Sequence, residues 1–97
     1  MTIANKEILS EYAKRHSNVV KPLNQWVERI QSAHWKAHSD LKAMFPSADY
    51  VANGRYVFNI GANNYRLVTV VIFVGGVVNI RFIGTHAEYD KIDCATI

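Results

Sequence analysis

The chain has 97 residues and a formal net charge of +3, and its 49% hydrophobic and 20% charged residues are ordinary for a globular protein. This length predicts a single domain over residues 1–97 with one modest core. The longest apolar run, Leu67–Val74, is far shorter than the roughly 20 residues that span a bilayer, and the N-terminus turns polar too early for a secretory signal. The single cysteine, Cys94, excludes an internal disulfide framework, which fits a reducing cytoplasm.

Three helical segments are predicted in the first half of the chain, after residues 1–4, which form either a short strand or a disordered end. The first follows Asn5, a suitable N-cap, and ends near Asn18. The second begins around Pro22, and Ser39 is a suitable cap for a short third segment that ends before a second proline. At helical spacings these segments carry apolar residues that we expect to face a core: Ile8, Tyr12, Leu23, Trp26, Val27, Ile30, Leu41, Met44 and Phe45.

Strand-like sequence begins after Asp49. The segments RYVFNI, YRLVTVVIFV and VVNIRFI are rich in β-branched and aromatic residues, and the turn sequences GANN and GG separate them. We therefore predict two consecutive hairpins that form an antiparallel meander. The whole pattern predicts an α+β fold in which the N-terminal helices pack on one face of a small antiparallel sheet.

The turn lengths predict which side chains share a face of this sheet. The turn GANN sets Ile60 opposite Tyr65, and a two-residue turn at 75–76 sets Val74 opposite Val77. Counting along the strands then places three arginines on one face, here called the arginine face: Arg55, Arg66 and Arg81. In this register Val70 lies opposite Arg81, and Arg66 lies beside Asn59 and level with Thr85.

The two faces differ in character under this register. The arginine face also carries Val57, Val68, Val70, Ile72 and Asn79. The opposite face, which the helices would cover, carries Tyr56, Phe58, Ile60, Leu67, Val71, Phe73, Val78, Ile80 and Phe82. No acidic residue lies between Tyr50 and Ala87 to pair the guanidinium groups. Because a guanidinium fork matches phosphate oxygens, the arginine face favours an anionic ligand such as a nucleic-acid backbone, although the arginines could also be ordinary solvated sheet positions.

The segment GTHAEYDK follows the last strand and concentrates polar chemistry. Gly84 lets the chain leave the sheet near Arg66, and His86 can exchange a proton near neutral pH. Tyr89 lies near His86 if residues 86–92 form a helical turn. The alternative is a terminal turn whose histidine and tyrosine are structural or solvated.

The other reactive side chains form no recognised site. His34 and His38, in HWKAH, have the spacing of a helical metal site but lack a third ligand. GANN and GGVV are hairpin turns rather than phosphate-binding glycine loops. Cys94 has no partner that would make its thiol a nucleophile. We therefore predict no metal and no cofactor.

Several segments together resemble a known family. Two helices, a short turn ending in MFPSAD, then RYVFNIGANNYRLV and IRFIGTHAEYDKI are similar to the HigB family of bacterial type II toxins, part of the RelE-like group of messenger-RNA endonucleases. The resemblance covers residues 1–93, and its most specific parts are FNI-x-x-N-x-YRLV and GTHAEYD.

The resemblance implies a RelE-like α+β fold with helices on one side of the sheet and messenger RNA on the other. It implies a metal-independent endoribonuclease of the bacterial cytoplasm that acts on messenger RNA in the ribosome, where the ribose 2′-OH attacks the adjacent phosphate. The implied partners are messenger RNA, the ribosome and a HigA-like helix-turn-helix antitoxin. Contact with operator DNA would occur only through that antitoxin.

The resemblance also implies roles for individual residues. Arg66 matches a phosphate-binding arginine, and His86 and Tyr89 lie in the segment that carries catalytic groups. His86 would act as acid or base, Tyr89 would stack on a base or place a proton, and Asp90 would orient one of these two. Candidate contacts to the RNA backbone are Arg55, Arg81, Lys36 and Lys91.

Two non-catalytic alternatives are compatible with the same residues. In one, the chain is an RNA- or ribosome-binding module that uses the arginine face only for affinity. In the other, it is an inactive toxin relative that only binds its antitoxin. Cleavage of translated messenger RNA by the wild-type chain distinguishes the enzyme from both.

Overall fold

The computed structural model describes all residues from 1 to 97, and its elements confirm the predicted α+β fold. They are β1 (Thr2–Ala4), α1 (Glu7–Arg15), a 3₁₀ turn (Ser17–Val19), α2 (Val20–Ser32), α3 (His38–Met44), β2 (Asp49–Tyr50), β3 (Arg55–Ile60), β4 (Tyr65–Ile72), β5 (Val77–Thr85) and α4 (His86–Tyr89). None of the helices combines the length and apolarity needed to cross a membrane.

The sheet has five strands in the order β1-β5-β4-β3-β2. The predicted meander of β3, β4 and β5 is confirmed, and it is extended at both edges. Residues 2–4 add a strand parallel to β5, and Asp49–Tyr50 add a short strand antiparallel to β3. The sheet is therefore mixed rather than purely antiparallel.

The main core lies between the helices and one face of the sheet. Of the helical residues predicted to face it, Tyr12, Leu23, Trp26, Ile30 and Leu41 are buried. The indole of Trp26 packs edge-on against the ring of a buried strand residue, with ring centroids 5.3 Å apart. Rows of apolar side chains at helical spacing thus become the layer that covers the sheet.

Two predicted helix caps are wrong. Asn5 does not cap α1: it has a positive φ of 64°, and its side-chain amide donates to Asn79 on β5 at 2.5 Å. Asparagine tolerates this left-handed conformation, so it turns the chain from β1 into α1. Ser39 lies inside α3, which begins one residue earlier, at His38.

The first hairpin has the predicted register and the second does not. Ile60 pairs with Tyr65, as the GANN turn predicted. In the second hairpin, however, Ile72 pairs with Val77, so the turn takes four residues, 73–76, rather than the two glycines alone. Val70 consequently pairs with Asn79 instead of Arg81, because the longer turn shifts the ladder by two residues.

A β-bulge then shifts the second hairpin again. Thr69 pairs with Ile80 but Val68 pairs with Phe82, which leaves Arg81 between them without a partner on β4. Beyond this bulge Arg66 pairs with Gly84, so the prediction that it lies level with Thr85 was wrong. An extra residue in one strand reverses the side-chain alternation that follows it.

The bulge moves Phe82 from the predicted core to the arginine face. There Phe82 belongs to a second, smaller apolar cluster. The buried members of this cluster are Val57, Val68 and Cys94, and the partly buried residues packed against them are Phe82, Tyr89, Ile92 and Ile97. The C-terminal segment therefore folds back over part of the arginine face, which the sequence pattern did not predict.

Candidate active site

Arg66 lies on β4 and is held by a neighbour on β3. Its guanidinium Nη1 donates to the side-chain oxygen of Asn59, the residue opposite it in the ladder. The only ion pair in the structure joins Lys14 and Glu11, so no carboxylate neutralises Arg66. An oriented, half-buried guanidinium without an acidic partner is suited to bind a phosphate.

The local sequence around Thr85 explains why a helix begins beside Arg66. The Thr85 hydroxyl accepts a hydrogen bond from the main-chain N–H of Glu88 at 3.3 Å, and Glu88 Oε1 accepts one from the Thr85 N–H at 2.8 Å. This reciprocal capping box stabilises the first turn of α4. The helical turn considered for residues 86–92 is present in the structure, over His86–Tyr89.

His86 projects from the first position of α4 and is exposed. Its Nε2 contacts the main-chain oxygen of Asn63, in the turn between β3 and β4. A carbonyl oxygen only accepts, so Nε2 must carry a proton. In neutral His86 the other nitrogen, Nδ1, is then a free acceptor, and no protein group is hydrogen-bonded to it. His86 is therefore arranged to accept a proton at Nδ1.

Tyr89, at the end of α4, packs against the smaller apolar cluster that contains Val57, Val68 and Cys94. Burial raises the pKa of the Tyr89 phenol, its contact with Cys94 and the nearby Asp49 carboxylate raise it further, and the Arg66 guanidinium lowers it. The phenol is therefore protonated at neutral pH and can donate a proton or a hydrogen bond. Tyr89 packs against the cluster that contains Val68, which lies two residues from Arg66 on the same face of β4.

Arg55 and Arg81 share the arginine face, as predicted, but they bind the C-terminal segment. Arg55 Nη2 donates to the main-chain oxygen of Ile97 at 2.7 Å, and Arg81 Nε donates to the same oxygen at 3.3 Å. The ladder places Arg55 four residues along β3 from Asn59, about 13 Å at the usual rise per residue. The structure therefore does not bring these two arginines to Arg66.

The remaining predicted residues either lie far from Arg66, His86 and Tyr89 or have side chains that make no hydrogen bond. Asp90 and Lys91 are exposed at the end of α4, and neither side chain makes a hydrogen bond. Asp90 thus does not orient His86 or Tyr89 in this structure. Lys36 lies by the turn between β4 and β5, where it lines an open groove with Phe73, at the opposite end of β4 from the candidate site.

Some neighbours of the site had no role in the sequence-based prediction. Asn63 contacts His86, and the Asp49 carboxylate raises the pKa of Tyr89. Tyr12 and Glu88 form a pair in which the Tyr12 hydroxyl donates a hydrogen bond of 2.9 Å to the Glu88 carboxylate. Only Glu88 had a local signal, because T-x-x-E is the capping-box pattern. The other three come from distant parts of the chain.

No group of three or more histidine, cysteine, aspartate or glutamate side chains is placed to hold a metal ion. Of the two histidines in HWKAH, His38 directs Nδ1 to the Tyr56 hydroxyl at 2.7 Å. Its role is therefore to link α3 to the sheet.

Comparisons with known proteins identify the family of this chain. The family model of HigB toxins, described as the RelE-like toxic component of a toxin–antitoxin system, matches residues 19–92. The chain is 33% identical over 92 residues to the mRNA interferase toxin HigB of Escherichia coli K12, covering 93% of this chain and 88% of that protein. It is 29% identical over 94 residues to the mRNA interferase HigB of Escherichia coli O6:H1, covering 95% and 91%. The chain therefore belongs to the HigB toxin family, as the sequence predicted.

Proposed function

We propose that this chain is the toxin of a type II toxin–antitoxin pair and an endoribonuclease that cleaves messenger RNA. Membership of the HigB family and the names of its relatives, which are mRNA interferases, support this function. The structural observation that carries the proposal is Arg66, a guanidinium without an acidic partner on the face of the sheet against which Tyr89 packs. Phosphate binding and proton donation are thus available at one place.

The proposed reaction needs only these protein groups. Nδ1 of His86 takes the proton of a ribose 2′-OH, and the 2′-oxygen forms a bond to the adjacent phosphorus. Arg66 stabilises the charge that develops on the phosphoryl oxygens, an effect worth about 3–4 kcal/mol if it resembles one oxyanion-hole donor. The bond from phosphorus to the 5′-oxygen breaks, and Tyr89 gives that oxygen a proton. The products are a 2′,3′-cyclic phosphate and a 5′-hydroxyl end.

General acid and base catalysis by His86 and Tyr89 would contribute roughly 10²- to 10⁴-fold each. Arg55 and Arg81 would contact the RNA backbone by exchanging the Ile97 oxygen for phosphate oxygens, and Lys91 is free to do so directly. Lys36 would contact only a distant part of the RNA or the ribosome. We assign no step to Asp90.

The proposal extends to the partners and the place of action. We propose that the RNA is cut on the translating ribosome, and hence in the bacterial cytoplasm. The activity would be neutralised by a HigA-like helix-turn-helix antitoxin, which alone would carry the complex to operator DNA. A small helix-turn-helix protein encoded beside this gene would support this partner.

The test is cleavage of end-labelled messenger RNA on programmed ribosomes, with binding measured in parallel. We expect wild type to cut the RNA and His86→Ala to lose cleavage while retaining salt-sensitive binding. If wild type binds ribosomes but never cuts, the chain is a binding module. Cleavage that persists in His86→Ala would remove the imidazole from the mechanism.

A further inference from the structure

The helix that carries the two proposed proton-transfer groups has little stability of its own. α4 is a single turn, and none of its residues is fully buried, although Tyr89 is partly so. Isolated helices of this length do not persist in water, so other contacts must fix the orientation of His86 and Tyr89. The capping box supplies local contacts, but it ties α4 only to the end of its own strand.

A hydrogen bond from α1 connects α4 to the main core. The Tyr12 hydroxyl donates to Oε1 of Glu88 at 2.9 Å, across 76 residues of sequence. The same Oε1 accepts the Thr85 N–H, so one carboxylate oxygen serves both the capping box and the link to α1. Tyr12 is itself 5% exposed, which makes it a rigid anchor.

The neighbours of this pair favour a fixed geometry. The Tyr12 ring is stacked on His16, with centroids 4.0 Å apart, and meets Tyr65 edge-on at 6.0 Å. Gly84 provides the space for Glu88, because a β-carbon at residue 84 would lie 2.9 Å from the β-carbon of Glu88. The Glu88 side chain is exposed, and its Oε1 accepts hydrogen bonds from both the buried Tyr12 phenol and the Thr85 N–H.

We propose that Tyr12 and Glu88 are positioning residues that hold α4 so that His86 and Tyr89 face the phosphate bound by Arg66. This inference rests on the proposed function for its consequence in cleavage, but its structural part is independent of it. Neither residue touches the reacting atoms. Their effect is on the fraction of molecules in which both proton-transfer groups are in place.

Tyr12→Phe removes only the hydroxyl, and Tyr56→Phe is its matched control. Both tyrosines are buried, and each hydroxyl makes one hydrogen bond to a side chain, but the partner of Tyr56 is His38, away from α4. The rate of cleavage should be measured for both variants at saturating and at subsaturating concentrations of programmed ribosomes. The His86 ring signals and the amide exchange of Glu88 should be measured by NMR.

We expect Tyr12→Phe to lower the cleavage rate at saturating ribosome concentration roughly tenfold, the size expected from losing a hydrogen bond to a charged acceptor. The ribosome concentration that gives half of the maximal rate should not change. The His86 signals should shift and the Glu88 amide should exchange faster. Tyr56→Phe should change neither the cleavage rate nor the His86 signals. Equal effects of the two variants on cleavage would show that only general stability matters and would overturn the proposal.

Variants of Glu88 provide a second test if Tyr12→Phe folds poorly. Glu88→Ala should abolish cleavage and move the NMR signals of the His86 ring away from their wild-type chemical shifts. Glu88→Gln should retain most of the cleavage and nearly wild-type His86 shifts, because its amide oxygen can still accept from Thr85 and Tyr12. No difference between these two variants would contradict a positioning role. If wild type does not cut RNA, the proposed function fails, whereas unchanged His86 signals in Tyr12→Phe refute the positioning inference alone.

Discussion

Arg55 and Arg81, on strands that flank β4, donate hydrogen bonds to the same main-chain oxygen, that of Ile97, at 2.7 and 3.3 Å. Two guanidinium groups that could bind RNA phosphates therefore hold the segment that packs on their own face. The segment also buries Cys94 against Val57 and Val68. Its attachment can be tested through this thiol.

Arg55→Gln should speed the reaction of Cys94 with a maleimide. Burial raises the pKa of the thiol and the Arg55 guanidinium lowers it, so losing that charge would by itself slow the reaction. Faster labelling, by roughly tenfold, therefore reports opening of the segment after the loss of charge-assisted hydrogen bonds. Lys91→Gln, at an exposed side chain without a hydrogen bond, is the control. Equal rates in all three proteins would mean that Arg55 does not hold the segment.

Asn59→Ala should weaken cleavage less than Arg66→Ala does. Removing the phosphate-binding guanidinium should cost about 10²- to 10³-fold, whereas removing the amide that orients it should cost roughly tenfold. Asn79→Ala, on the same face but bonded to Asn5, is the matched control and should retain full activity. Rates of cleavage on programmed ribosomes decide the matter, and an Asn59→Ala enzyme as fast as the control would refute the orienting role.

Gly84→Ala should destabilise the protein and Gly75→Ala should not. A β-carbon at residue 84 would lie 2.6 Å from the Phe82 ring, while one at residue 75 would meet its nearest atom at 3.8 Å. Overpacking of this kind costs about 1–3 kcal/mol, so the free energy of unfolding in urea should fall by that amount. If both variants unfold at the same urea concentration as wild type, the close approach of Glu88 to the strand is not maintained in solution.

The carboxylate of Glu88 should stabilise the fold near neutral pH and lose this effect in acid. The hydrogen bonds from Thr85 and Tyr12 lower its pKa below the ordinary value of 4.5. A group with a lowered pKa stabilises the folded state above its ordinary pKa, and the contribution disappears as the pH falls through the folded value. The difference in Tm between wild type and Glu88→Gln should thus shrink from about pH 7 to pH 3. A difference that grows on acidification would contradict this assignment.

The sequence predicted the features that depend on local pattern. Helical spacing identified Trp26 and Ile30 as core, and the four-residue turn GANN predicted the pairing of Ile60 with Tyr65. The glycine pair at 75–76 misled the prediction of the second turn, because glycines also occur inside longer turns.

Long-range features could not be predicted in the same way. The bulge at Arg81 leaves no periodic signal, yet it decides the face on which Phe82 lies. The hydrogen bond from Tyr12 to Glu88 joins residues 76 positions apart, so no local pattern identifies it. The candidate site was therefore predicted as a set of reactive groups on neighbouring elements, while the contacts that orient those groups required the structure.

The most direct test of the proposed chemistry uses a messenger RNA with a single 2′-deoxyribose on the 5′ side of the cleaved phosphate, presented on programmed ribosomes. Because the proposed nucleophile is the 2′-oxygen, we predict that the unmodified RNA yields a 2′,3′-cyclic phosphate and that the deoxy substrate is not cut at that position. Cleavage of the deoxy substrate at the same position, or a 5′-phosphate on the downstream product, would contradict the mechanism built on Arg66, His86 and Tyr89.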